Sequence, residues 1–334
     1  HIIKIGQGPA RRHQGGEVMP TDTETAYAKI NLALHVRRRR ADGYHLLQTV
    51  FRFIDLNDRL DIDIRSDSRI CRETDMLGVA HDEDLVVRAA RALQVHTGTK
   101  LGAQIKVKKN IPAGGGLGGG SSDAATVLLA LNRLWETRLS RTALMQLGLG
   151  LGADVPVFIA GQNAFAQGIG EQLTPVSLPE RSYLVVQPAQ SVPTAGVFGD
   201  SDLTRDTDPV KMTDFSGVKL FAEFCGEIDQ ASSFLQDFGR NDLQPVVMKR
   251  YPVVCQALDW LTQAGQDARM TGSGACLFVG FPSVQQATAV HQKLLAKTRT
   301  DFSSAALAGV LNPIQSISVC EGLSEHPLRH WIES

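Results

Sequence analysis

The sequence predicts an α+β chain of two domains. Strand-like patterns gather between residues 26 and 64, ahead of a run of helical patterns. The chain has 334 residues and is 43% hydrophobic, enough for two ordinary cores. A loop-rich stretch over 188–209 divides it. The expected organisation is a disordered or added tail over 1–24, an N-terminal domain over 25–187, a C-terminal domain over 188–320, and a second tail over 321–334.

Taken in order, the first residues carry Arg11-Arg12-His13 and Gly15-Gly16 with no apolar period and no signal-peptide core. Met19 is the expected natural start, with residues 1–18 encoded upstream of it or added to it. From Ala26 to Val36 the pattern alternates. Ile30, Leu32, Leu34 and Val36 fall on one face, and Tyr27, Lys29, Asn31 and His35 on the other. This is a half-buried strand with a lysine and an asparagine two apart. Residues 37–45 form a loop, and 47–54 and 60–64 read as further strands. A helix is expected from Asp82 to Val95, ended by Gly98, and a strand over 103–109. Ala124, Val127, Leu128, Leu131, Leu134 and Trp135 recur at helical spacing. Ser140 is expected to cap a short helix, and 183–186 to form a strand. In the second half, helices are expected over 217–225, 242–250, 252–264 and 284–296, and strands over 275–281 and 304–311.

Composition excludes several classes of function. A formal net charge of -1 gives no electrostatic case for nucleic acid or for a membrane surface. Cys71, Cys225, Cys255, Cys276 and Cys320 are scattered without CxxC spacing, which argues for reduced thiols in a cytoplasmic protein and against a zinc site. No apolar run approaches the roughly 20 residues of a membrane span.

The chemistry centres on residues 112–123, Pro-Ala-Gly-Gly-Gly-Leu-Gly-Gly-Gly-Ser-Ser-Asp, with six glycines in the seven positions from Gly114 to Gly120. Glycine loses the most entropy on ordering, so such a cluster needs a reason. A strand precedes it and a helix follows, with Ser121 or Ser122 as the expected cap. A glycine loop in that setting turns free N–H groups and a helix dipole toward a phosphate. It lacks the Gly-Lys-Ser/Thr of a Walker A loop. It also lacks an acid about twenty residues on, as a dinucleotide site requires.

Other constellations are open when read singly. Asp154 lies among apolar neighbours in Gly152-Ala153-Asp154-Val155-Pro156 and is a helix cap, a core ion pair or a phosphoryl-transfer acid/base group, with Lys29 its natural cation. Thr271-Gly272-Ser273-Gly274 is a hairpin turn or a second donor loop for the same ligand. Asp42-Gly43-Tyr44-His45 is a surface turn or an aromatic site. Arg37 to Arg40 read as a solvated basic loop.

Together these pieces resemble the GHMP kinase superfamily, whose phosphate loop Pro-x-x-x-Gly-Leu-Gly-Ser-Ser is matched over 112–122. Ala28-Lys29-Ile30-Asn31-Leu32, the Asp42-Gly43-Tyr44-His45 turn, the extended glycine loop, Gly152-Ala153-Asp154 and Thr271 to Gly274 narrow this to the 4-diphosphocytidyl-2-C-methyl-D-erythritol kinase family. The resemblance runs from about residue 26 to 313. It implies an N-terminal ATP-binding domain, a ferredoxin-like C-terminal substrate domain and an active site between them. It implies that Lys29 and Asp154 are the catalytic pair and that Pro112, Ala113, Gly114, Gly115, Gly116, Leu117, Gly118, Gly119, Gly120, Ser121 and Ser122 wrap the ATP triphosphate. Tyr44, His45 and Phe198 would hold a cytosine, with Asn31 and Thr194 as further substrate-side groups. The implied reaction is ATP-dependent phosphorylation of a cytidine diphosphate substrate in non-mevalonate isoprenoid synthesis. Mg2+ follows from phosphoryl transfer in general, and no acid is placed to bind it. The acting unit is expected to be a monomer or weak homodimer. The alternatives at this point are a GHMP kinase for mevalonate, homoserine or a sugar, or a non-catalytic nucleotide binder on the same fold.

Overall fold

Two long antiparallel strands set the frame. In the computed structural model, which describes residues 11–13, 16–19, 23–73, 79–209, 239–303 and 312–332, β1 (Arg11–His13) and β2 (Gly16–Met19) make a short hairpin. Then β3 (Thr23–Arg39) pairs with β4 (His45–Arg65) from Thr23↔Asp61 to Arg39↔His45. Because β2 also pairs with β4, part of the segment expected as a tail adds to the sheet.

The two strands expected over 47–54 and 60–64 are one strand. The polar run Asp55-Leu56-Asn57-Asp58-Arg59 reads as a break, but β4 passes through it with a register shift opposite Tyr27/Ala28. Asp58 stays buried there because it accepts from the backbone N–H groups of Asn110 (2.5 Å) and Ile111 (2.8 Å) and pairs with Lys109.

β5 (Ile70–Arg72) pairs parallel with β6 (Gly102–Lys108), and β6 pairs with β4. Between them α1 (Leu85–Thr97) opens on Asp84, whose carboxylate accepts from Val86 N–H at 2.9 Å, and closes on Gly98 at φ +69°. Next, α2 (Gly119–Leu134) is buried from Ser122 to Asn132. A helix enclosed on every side needs apolar residues all round, and α2 supplies them apart from Ser122, Asp123, Thr126 and Asn132. Ser140 caps α3 (Arg141–Leu149) as expected, accepting from Ala143 N–H. After α3 come α4 (Val155–Ala160), β7 (Ala164–Gln167) and β8 (Gln172–Pro175), which complete an eight-stranded sheet.

The second sheet is antiparallel. Its order is β10-β11-β9-β12, formed by β9 (Ser182–Pro188), β10 (Arg269–Met270), β11 (Leu277–Phe281) and β12 (Ile314–Glu321). The short α5 (Thr194–Phe198), α6 (Gln244–Arg250), α7 (Pro252–Gln263) and α8 (Val284–Ser303) complete the described elements of this half. A cluster containing Ile30, Val50, Ile54, Leu117, Phe165, Val185, Cys276 and Phe278 joins the two sheets. Each such side chain contributes about 1.5–3 kcal/mol on burial. The glycine loop therefore lies at a packed seam rather than on a hinge.

The helix expected over 217–225 and the strand over 304–311 lie outside the described residues. Among the described residues, no helix is long and apolar enough to cross a membrane, and Cys71, Cys255, Cys276 and Cys320 are free thiols.

The end of the chain departs from the expected tail. Residues 327–331 form a 3-10 turn, Leu328 is buried in the core that α1, α2 and α4 form against the eight-stranded sheet, and Arg141 donates to the carbonyls of Arg329 and Ile332. His326 is buried edge-on to Tyr27 and Phe53, and its Nδ1 accepts from Leu328 N–H at 3.2 Å. Burial pushes the His326 imidazole down to about 4. The folded state thus binds this proton more weakly than the unfolded chain. Stability is complete above the ordinary histidine range near 6.5 and falls as pH drops toward 4, by roughly 3 kcal/mol in all. Urea titrations across that window should show this extra slope in the parent and its loss in His326→Phe; equal slopes would remove the assignment.

Candidate active site

The loop before α2 is shaped by neighbours that leave no room for side chains. Gly116 has φ +73°, and a Cβ there would overlap the Thr271 carbonyl oxygen. Gly118 has φ +72°, and its Cβ would stand 2.9 Å from the Phe158 ring and 3.1 Å from Lys29 Cε. Only glycine meets both demands at these positions. The helix cap then falls three to four residues before the expected serine cap. Gly118 is the N-cap, and no side chain caps it. The first intrahelical bond runs from Ser122 N–H to Gly118 O at 2.8 Å. The amides of Gly119, Gly120 and Ser121 are left for a ligand, at the positive end of the helix dipole.

Ser121 borders the cavity with Pro112, Ala113 and Gly114 to Gly120. Ser122 does not. It is fully buried, and its hydroxyl donates to the Tyr27 carbonyl at 2.6 Å, tying α2 to β3. The cavity has a volume of about 990 Å³. It runs from the loop to a wall that carries Tyr44, His45, Thr194 and Phe198.

Lys29 stands at its centre. Period-2 alternation puts Lys29 and Asn31 on one face of β3, and both are buried. The Lys29 ammonium donates to Asn31 Oδ1 (2.6 Å) and Gly116 O (3.0 Å) and lies 3.2 Å from Asp154 Oδ2. These three acceptors compensate an ammonium that is only 3% exposed. Asn31 in turn donates through Nδ2 to Thr49 Oγ1 at 2.8 Å, and its backbone N–H donates to Thr271 Oγ1 at 2.9 Å. Both ends of the Asn31 amide are thus engaged.

Asp154 differs from its sequence reading in one respect. It directly precedes α4 but makes no capping bond, and its side chain is 34% exposed to the cavity rather than enclosed. One carboxylate oxygen faces the ammonium, and a third of the group remains open to an incoming molecule.

On the far wall the His45 and Phe198 rings lie 5.2 Å apart at 33°, while Tyr44 is 57% exposed at the cavity rim. Thr194 Oγ1 is 2.7 Å from Ser273 Oγ, which joins α5 to the second glycine turn. Several contributors have no sequence signal of their own. Lys109 bonds Asp123 Oδ2 (2.6 Å) and Asp58 beneath the loop, and both Lys109 and Asp123 line the cavity. Burial raises the Asp123 carboxyl, against the pull of the Lys109 ammonium.

A glycine loop opening a buried helix, with an ion pair at the edge of the same cavity, has the form that phosphoryl transfer requires. Residues 84–162 match the GHMP kinases N terminal domain and 219–299 the GHMP kinases C terminal domain. The chain is accordingly a small-molecule kinase of the GHMP class. A curated relative from Bordetella bronchiseptica, named 4-diphosphocytidyl-2-C-methyl-D-erythritol kinase, is 54% identical over 309 residues, covering 92% of this chain and 98% of the relative. A crystal structure of a 4-(cytidine 5'-diphospho)-2C-methyl-D-erythritol kinase superposes with a TM-score of 0.68 at 32% identity, over 82% of this chain and 96% of that one. By these measures the chain belongs to the 4-diphosphocytidyl-2-C-methyl-D-erythritol kinase family. A mevalonate kinase from L. major is similar in fold alone, at 17% identity and a TM-score of 0.60, over 92% of this chain and 97% of that one.

Proposed function

We propose that the chain transfers the γ-phosphoryl group of ATP to the 2-hydroxyl of 4-diphosphocytidyl-2-C-methyl-D-erythritol, giving the 2-phosphate and ADP. The observation that carries this reading is one cavity joining the glycine loop to the Tyr44, His45 and Phe198 wall, with Asp154 and Lys29 between them. ATP fits the loop, whose close glycines and uncapped amides admit and hold phosphate oxygens. In the reaction, the substrate hydroxyl oxygen bonds to the γ-phosphorus as the bond to the β-bridging oxygen breaks. Asp154 accepts the hydroxyl proton or holds the hydroxyl in line, and Lys29 orients Asp154 and offsets developing charge. Asn31 fixes Lys29, and Thr194 offers a hydroxyl near the substrate. Mg2+ is the expected companion of the triphosphate. Among the described residues, no group of three or more His, Cys, Asp or Glu side chains could hold a metal ion.

The substrate side rests on aromatic chemistry. Mevalonate and homoserine have no base to stack, whereas a cytosine uses an aromatic face directly. A coupled ADP-release assay comparing the cytidyl substrate with mevalonate and homoserine tests the reading; turnover of either of the latter in preference would overturn it. Tyr44→Ala should weaken the cytidyl substrate by about 1–3 kcal/mol and leave ATP affinity unchanged. Equal weakening of both ligands, measured by calorimetry, would place Tyr44 outside the base site. A monomer or weak homodimer is the expected acting unit, and light scattering checks this.

A further inference from the structure

Arg205 has no place in the roles above, yet its guanidinium is committed almost entirely to the base-facing wall. Its Nε donates to His45 Nε2 at 3.1 Å. One Nη donates to Leu203 O at 3.1 Å, and the other to Phe198 O at 3.0 Å and Asp200 O at 2.5 Å. The side chain therefore bonds one aromatic residue through its ring nitrogen and the other through its carbonyl. It also folds the turn over 198–205 beneath them. The planar fork of arginine suits this; a lysine ammonium could not span the same acceptors.

The bond to His45 has a chemical consequence. Arginine is a donor only and stays charged. A guanidinium N–H aimed at Nε2 requires a lone pair there, so the neutral ring must carry its proton on Nδ1. Nδ1 makes no bond among the described residues, and His45 lines the cavity. The charged groups acting on this ring are Arg205 and Arg39, and neither stabilises a second positive charge. Burial first, then those two cations, hold the His45 imidazole below its ordinary range, consistent with a neutral ring.

We infer that Arg205 is a positioning residue for base recognition. It locks His45 as the neutral Nδ1–H tautomer, a fixed donor for an acceptor on a pyrimidine edge, and braces Phe198 beside it. This rests on the cytidine reading of the same cavity. Cytosine presents acceptors at O2 and N3, so a fixed donor is the useful form of the ring; a freely titrating imidazole would present a donor or an acceptor according to pH.

Three linked measurements test it in the full chain. First, the parent must bind the cytidyl substrate by calorimetry; failure there overturns the cytidine reading itself. Second, Arg205→Lys and Arg205→Gln should raise the KM for that substrate about tenfold to a hundredfold, as expected for a charged hydrogen bond removed from a partly buried site, with ATP affinity unchanged. Third, nitrogen NMR of the histidine rings, with His45 assigned from His45→Gln, should show an unprotonated Nε2 in the parent. In Arg205→Gln it should show mixed tautomers and a titration moved upward toward the ordinary histidine range. Unchanged ring signals in a folded Arg205 variant would overturn the inference even if KM rose, since a general loosening of the wall moves KM but need not alter the tautomer. Unchanged KM would overturn it as well.

Discussion

Asp154→Asn is expected to lower kcat by about 10²–10⁴-fold while ATP binds normally. The substitution keeps the shape of the side chain, its place before α4 and its exposure to the cavity. What it removes is charge. The amide can still present an oxygen to the Lys29 ammonium 3.2 Å away, so the local packing survives. It cannot accept a proton from an attacking hydroxyl, and it attracts Lys29 less strongly. In the proposed reaction nucleotide affinity rests instead on the amides of Gly119 to Ser121 and on the loop glycines, while the ion pair of Asp154 is with Lys29. Single-turnover kinetics with calorimetric ATP titrations separate the two effects. Near-parent turnover in Asp154→Asn would refute both the base role and the positioning role.

Much of this site is legible in the sequence because its signals are local. Alternation across residues 26–36 places Lys29 and Asn31 on one strand face, and the structure has both there, bonded to each other. The glycine cluster announces close backbone approach, and Gly116 and Gly118 meet it against Thr271 and Phe158. Local reasoning misplaced the cap for a physical reason. Helix propensity argues against starting a helix in glycine, and serine is a favoured cap, so the sequence alone points to Ser121 or Ser122 as the N-cap. A ligand-binding helix start gains from having no side-chain cap, since a cap would occupy the amides that a phosphate uses. Asp154 reads as enclosed because its neighbours are apolar, yet Val155 to Phe158 turn into the core while the acid, with Ala153, faces the cavity.

Other features were not legible because their partners are remote. Asp58 reads as a strand breaker until Asn110, Ile111 and Lys109 come to it from about fifty residues away. Arg205 sits in an aperiodic loop, and nothing near it in sequence points to His45, 160 positions distant. The final residues read as a tail because His326 and Arg329 are polar, but the buried neutral ring of His326 packs like an aromatic.

Lys29→Met should separate catalysis from stability. In the proposed reaction Lys29 has two tasks, orienting Asp154 and offsetting charge on the transferring group. Loss of both should lower kcat/KM by about 10³-fold, in the range of removing one preorganised electrostatic group. Stability follows a different balance. The ammonium is 3% exposed, and its desolvation already consumes much of what its three contacts return. Methionine has a similar length and no such penalty. Against that gain stand two acceptors left short of a donor. Asn31 Oδ1 is buried and costs about 1–3 kcal/mol when unpaired. Gly116 O keeps a second, longer contact from Thr271 Oγ1 at 3.4 Å. Asp154 is one-third open and recovers hydration, so its lost partner costs little. The terms nearly cancel, and unfolding free energy should move by less than about 2 kcal/mol. Urea denaturation alongside steady-state kinetics gives both quantities from one preparation. A collapse of stability in step with activity would mean that Lys29 is chiefly a structural ion-pair partner and that the reaction's electrostatics reside elsewhere in the cavity.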